Sequence, residues 1–197
     1  MRKMTWDTMI KAAAAMFAFS GWFKVYYDHM SSKPKITGRL LTSMNGQMEV
    51  NGKQYSSFVV YPYLVNARKN IVHILDYKMS IKLEDGWRVL TPTYGFHKVG
   101  KFNFDSSNGE IKIKDFSESL IYTKKDGVQQ GIPLHGWLIF LGDENLYGKK
   151  VVSYKLICVD ANLVEHVVTT KPNHLQSLPL VAQIANIEFP DGMLDPK

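Results

Sequence analysis

Phe58-Val59-Val60-Tyr61-Pro62-Tyr63-Leu64-Val65 is apolar on both parities. A strand with one wet face alternates, so such a run is expected of a central strand covered on both faces. Proline brings no N–H to a ladder, and Pro62 must therefore occupy a bulge or an edge. Strands with one wet face flank this run. Tyr77, Met79, Ile81 and Leu83 alternate with Lys78, Ser80 and Lys82; Ile111 and Ile113 alternate with Lys112 and Lys114. Val152, Tyr154, Leu156 and Cys158 alternate with Ser153 and Lys155.

Six Asx-Gly pairs punctuate the chain: Asn45-Gly46, Asn51-Gly52, Asp85-Gly86, Asn108-Gly109, Asp126-Gly127 and Asp191-Gly192. They are the strongest short-range hairpin signal. The first two flank Gln47–Val50 and predict a meander of Ile36–Met44, Gln47–Val50 and Lys53–Val65. No other segment of ten or more residues keeps a helical period, so residues 36–189 read as all-β. The expected fold is an antiparallel β-sandwich, immunoglobulin-like or related, or a closed barrel, preceded by one N-terminal α-helix.

That helix is read from Trp6–Tyr27, with Thr5 as N-cap and four consecutive alanines, Ala12–Ala15, favouring it. Its uncharged core, Ala12–Phe23, spans about 18 Å against a hydrocarbon thickness of about 30 Å. Lys11 and Lys24 can snorkel, which lengthens the usable segment to Met9–Tyr27. Trp6, Trp22, Tyr26 and Tyr27 have the character of interfacial anchors. A helix packed on the domain, a signal peptide cleaved after Ser20, and an in-plane amphipathic helix are the competing readings. The last needs a polar face, and Ser20 is the only polar side chain of the core. The expectation is a single-pass membrane anchor. Lys and Arg number three before the span and four after it, which leaves the side of the β-domain undecided. Ala14, Ala18 and Gly21 follow i, i+4, i+7 spacing, continued by Val25, and predict a stripe for helix self-association, with Met16, Phe19, Trp22 and Phe23 opposite.

The expected organisation is a hydrophobic helix over 1–30, a polar linker over 31–35, the β-domain over 36–189 and a tail over 190–197. The formal charge of +6 is concentrated at the front: residues 1–35 carry six Lys and Arg against two Asp, and the rest 18 against 16. The near-neutral remainder argues against a nucleic-acid-binding domain. One cysteine excludes an internal disulfide and any CxxC site.

Some segments resemble uncharacterised bacterial proteins with a short membrane helix and a β-sandwich. These are the Trp6-Asp7-x-x-Ile10-Lys11 helix start, the Lys33-Pro34-x-Ile36-x-Gly38 entry, and a long strand ending in Asn66. Ile132–Phe140 and a strand ending Cys158-Val159-Asp160 add to the likeness. The resemblance implies the architecture and no activity.

Chemistry leaves few marks. His29, His73, His97, His135, His166 and His174 form no HExxH or HxH pair, and Glu165 and His166 should point to opposite faces of a strand. No GxSxG, P-loop or GxGxxG occurs. Each histidine reads as a surface or half-buried polar residue, and Cys158 as a buried inert thiol. Lysine pairs such as Lys149-Lys150 read as turn tips, and Trp87, Trp137, Phe140 and Tyr154 as core. No cofactor, metal or catalytic residue is expected. The expected function is a membrane-anchored, non-catalytic interaction module for a protein or polymer partner. The alternative is a membrane effector or sensor whose β-domain binds a small ligand, with a hydrolase built on converging carboxylates a distant third.

Overall fold

The computed structural model describes residues 6–95, 101–106, 109–124 and 126–190. A long helix, α1 (Trp6–Ser32), leads into β1 (Ile36–Val50) and β2 (Lys53–Asn66), then β3 (Ile74–Leu83) and β4 (Gly86–Pro92). Next come β5 (Lys101–Ser106), β6 (Gly109–Lys114), a short α2 (Phe116–Ser119), β7 (Leu134–His135) and β8 (Leu138–Asp143). The chain continues through β9 (Ser153–Asp160), β10 (Glu165–Thr170), α3 (Leu178–Ala185) and β11 (Ile187–Glu188). A mostly antiparallel β body behind an N-terminal helix is thus as expected. The main sheet runs β1-β2-β8-β4-β3-β9-β10, with β7 also on β2, and curls into a half-barrel. A small sheet, β11-β6-β5, packs outside it.

β1 and β2 form one long hairpin, from Ile36 opposite Asn66 to Val50 opposite Lys53. Asn51 and Gly52 turn it, both with positive φ (53° and 75°), as a two-residue type I′ turn requires. Asn45 and Gly46 lie in mid-ladder opposite Phe58 and Ser57, so the expected three-stranded meander is corrected to a hairpin. A reversal at 45–46 would leave β2 only the four residues Gln47–Val50 as its neighbour on that side. Pro62 lies at a bulge, as its missing N–H demands: the register slips between Leu40 and Thr42, opposite Pro62 and Tyr61. On its other side it falls between the pairing to β8, which ends at Val60, and to β7, which starts at Tyr63.

The run Phe58–Val65 feeds two cores. Phe58, Val60 and Leu64 point into the half-barrel with Leu40, Met79, Ile81, Phe140 and Leu156. Val59 and Tyr61 point outward with Trp137 and Ile139, and are covered by Ile113, Phe116, Val181, Ala185 and Ile187. Each large apolar side chain so buried contributes about 1.5–3 kcal/mol. The outer face of β3, β4, β9 and β10 has no such cover, and Val89 and Val167 are exposed there.

An odd number of strands in an all-antiparallel path brings its two ends together in parallel. At this seam β1 and β10 are joined through side chains: the Ile36 N–H donates to His166 Nδ1 (3.4 Å) and the Leu40 N–H to Thr170 Oγ1 (2.9 Å), both 130 positions apart.

Other expectations need correction. Residues 36–189 are not all-β, because α3 lies within them: Leu178, Val181, Ala182 and Ala185 share one helical face on the outer core, a pattern of eight residues that falls below a ten-residue window. Val152 is exposed and precedes β9. Trp87 is exposed, with the Lys155 ammonium 5.8 Å from its ring centroid, rather than core. Asp126-Gly127 makes no hairpin, and Asn108 and Asp191-Gly192 lie outside the described residues, as does His97. The helix continues to Ser32, leaving 33–35 as the connection.

The transmembrane reading of that helix is not supported: among the described residues no helix is long and apolar enough to cross a membrane. The 27 residues of α1 extend about 40 Å, but Asp7, Lys11, Lys24 and Asp28 confine the uncharged stretch to Ala12–Phe23. Nor does it pack on the body, since Phe17, Phe19, Trp22 and Phe23 are all exposed.

A cavity at the helix end of the half-barrel

β1 begins, β2 ends, β3 begins and β9 ends at the same rim of the curled sheet, the rim from which α1 departs. The segment between α2 and β8 crosses this rim. It is tied down by Val72 and Val128, which exchange both backbone hydrogen bonds, and by Leu134 and His135, which pair with Leu64 and Tyr63 of β2. Between it and β3 lies a partly enclosed cavity of about 270 Å³, lined by Ile74, Tyr77, Ile121, Tyr122, Lys124 and Leu134, with His73 and Asp126 at its wall.

Tyr77 is the most buried of the polar residues that line it. The alternation of β3 turns it inward, opposite Cys158, and only 3% of it is exposed. Among the described residues its hydroxyl has no hydrogen-bond partner, yet no polar side-chain atom among them is both sealed and unpaired. The hydroxyl therefore opens onto the cavity. Burial, then the neighbouring Cys158 and Tyr94, raise its pKa far above the ordinary tyrosine value, so it stays a neutral donor. Cys158, in contrast, is sealed, and burial pushes its thiol up to about 12. The burial of Cys158 read from the sequence is thus found in the structure.

At the rim, Tyr94 donates its hydroxyl proton to Asp76 and meets the Tyr122 ring edge-on, 5.1 Å between centroids. Lys124 donates from Nζ to the His135 carbonyl oxygen at 2.5 Å, and no carboxylate pairs with it among the described residues. Lys124 is exposed overall, but partial burial of its ammonium lowers its pKa. His135 rests 2.7 Å from the Tyr61 hydroxyl, whose own proton goes to the Ile184 carbonyl, also at 2.7 Å. That assigns the proton of His135 to Nδ1. Burial, and then Lys124, lower its pKa, so it is neutral near pH 7.

Asn66, at the end of β2, connects the segment that crosses the rim to the helix. Its amide donates to the carbonyls of Asn70 (2.6 Å) and Val128 (2.9 Å) and accepts from the Arg68 N–H. Asn70 in turn donates to the carbonyl of Ser32, the last residue of α1. Hydrogen bonds thus run from the helix terminus through Asn70 and Asn66 to Val128, in the segment that crosses the rim.

The anchor residues Trp6, Lys11, Trp22, Lys24, Tyr26 and Tyr27 are all exposed, as are Ala14, Ala18, Gly21 and Val25 of the small-residue stripe. A side chain added at Gly21 would meet nothing within 4 Å, so in this single chain the stripe is uncovered. Sequence reasoning missed the cavity because its residues come from three separate stretches. It also took His166 for a surface or half-buried residue, whereas it is buried beside Asp160, with Nε2 3.0 Å from Oδ2. Its strand position, opposite in parity to exposed Glu165, was the available signal. This dyad holds backbone: Asp160 Oδ1 accepts the N–H of Asn162 and Val164. Among the described residues no three His, Cys, Asp or Glu side chains group as metal ligands.

No protein family, curated protein or solved structure matches this chain.

Proposed function

We propose that the protein is a binding module attached to a lipid surface through α1, with the β body held close to that surface for recognition rather than catalysis. The observation that carries this is the exposed apolar surface of α1. Phe17, Phe19 and Trp22 are each 78–80% exposed on a helix that the body leaves uncovered. Aromatic rings at that exposure are costly in water and favourable at the headgroup boundary. Lys11 and Lys24 flank them and suit anionic headgroups. Co-flotation with phosphatidylcholine–phosphatidylglycerol vesicles tests the attachment. The intact chain should float, and a Phe19→Glu, Phe23→Glu variant should stay behind. An intact chain that stays behind overturns it.

The cavity favours a second reading, a sensor whose β body binds a small ligand. Its support is the unpartnered Tyr77 hydroxyl together with the Ser32–Asn70–Asn66–Val128 hydrogen bonds, which join the helix end to the segment that crosses over the cavity.

A further inference from the structure

An unpaired hydroxyl on a residue that is 3% exposed is costly unless something pairs with it. The inner wall around it is aliphatic and aromatic: Ile74, Ile121, Tyr122 and Leu134. At the wall stands Lys124, whose ammonium donates to a neutral carbonyl and which no carboxylate of the described residues neutralises. A lining about half apolar, with one buried hydroxyl and one cation that no described carboxylate pairs, has the elements of a small-molecule site.

We propose that this cavity binds a small amphiphilic carboxylate, its apolar body among Ile74, Ile121 and Leu134 and its carboxylate within reach of the Tyr77 hydroxyl and the Lys124 ammonium. This rests on the ligand-binding reading of the β body. The size fits: 270 Å³ equals the liquid volume of about nine waters, room for a molecule of about ten non-hydrogen atoms. Both polar groups are donors, since Tyr77 stays protonated and lysine has only donors to offer, and that calls for an acceptor-rich ligand group. Asp126 and His73 also line the wall. Asp126 is the one group there that would favour a cation instead, so the test includes one.

Octanoate, octanol and octylammonium share one tail and differ in the head, and each is titrated into the intact protein below its micelle concentration by calorimetry and amide NMR. Octanoate should bind at least about tenfold more tightly than octanol, because hydrogen bonds to a charged group are worth that much. Lys124→Met should remove that margin. Tyr77→Phe should weaken octanoate several-fold while leaving the thermal midpoint unchanged or raised, since it deletes an unpaired hydroxyl without changing shape. A merely structural tyrosine would give the opposite pattern. Preference for octanol or octylammonium overturns the carboxylate assignment and leaves a ligand-binding cavity standing. Binding of none of the three overturns both. Octanoate binding that neither substitution alters places the ligand elsewhere and overturns the proposal as well.

Discussion

His166 Nε2 lies 3.0 Å from Asp160 Oδ2, both sealed from solvent, while the other ring nitrogen of His166 receives the backbone N–H of Ile36. The ring thus links the β9–β10 turn to the first residue of β1 across the seam of the half-barrel. Thr170, four residues on and facing the same way, does the same for Leu40.

The Asp160 carboxyl ionises below the usual range. Burial alone would raise it, but the hydrogen bonds from His166, Val164 and Asn162 outweigh burial. Its folded value is depressed, so its stabilisation is complete above the unfolded carboxyl value of about 3.9 and is lost as pH falls through the folded value. Urea unfolding followed between about pH 2 and 5 should show this acid loss, and Asp160→Asn should flatten that limb.

Thr170→Val keeps the shape of the side chain and removes the acceptor of the Leu40 N–H. The expected cost is about 1–3 kcal/mol for the stranded donor. Hydrogen exchange localises it: the Leu40 amide should exchange faster, while Met79, in the middle of β3 and paired on both sides, should keep its protection.

The two Asn-Gly pairs should respond differently to the same change. Gly52→Ala forces a side chain into the left-handed region, at roughly 1–2 kcal/mol. Gly46→Ala sits in extended backbone where the new Cβ meets only the movable Ser57 hydroxyl at 3.2 Å, and it should fall within about 0.5 kcal/mol of the parent. Equal losses in chemical denaturation would contradict the hairpin register.

Trp137 and Trp87 make a similar contrast. Trp137 is fully buried, meets Tyr61 edge-on at 4.9 Å and donates from Nε1 to the Ala185 carbonyl at 3.0 Å. Trp137→Ala should cost about 3–5 kcal/mol. Trp87→Ala should cost no more than about 0.5 kcal/mol. In fluorescence, iodide should quench Trp6, Trp22 and Trp87 and leave Trp137 protected.

Gly38 shows a residue whose role no pattern reveals. It was visible only as part of the Lys33–Gly38 entry, yet a Cβ there would lie 2.1 Å from the Tyr63 carbonyl oxygen. Gly38→Ala should therefore destabilise by roughly 1–3 kcal/mol, with backbone rather than a side chain having to yield, as thermal melts would show.

Local pattern determined much of this protein. The two-sided apolar run Phe58–Val65 specified a strand with a core on each face, the missing N–H of Pro62 specified a bulge, and period-2 alternation placed Tyr77, Ile81, Leu156 and Cys158 inside. These features are decided within one strand and its solvent exposure, so the sequence suffices. Which Asn-Gly pair turns depends on the register of the whole β1–β2 hairpin, and how the sheet curls to bring His166 to Ile36 and covers Trp137 depends on partners more than forty residues away. The cavity is the clearest case. Tyr77 reads as one more inward residue of β3, and its hydroxyl acquires meaning only because the segment 121–134 crosses above it and leaves a space unfilled. Packing between distant segments is a three-dimensional sum of volumes and hydrogen bonds, and no local period encodes it.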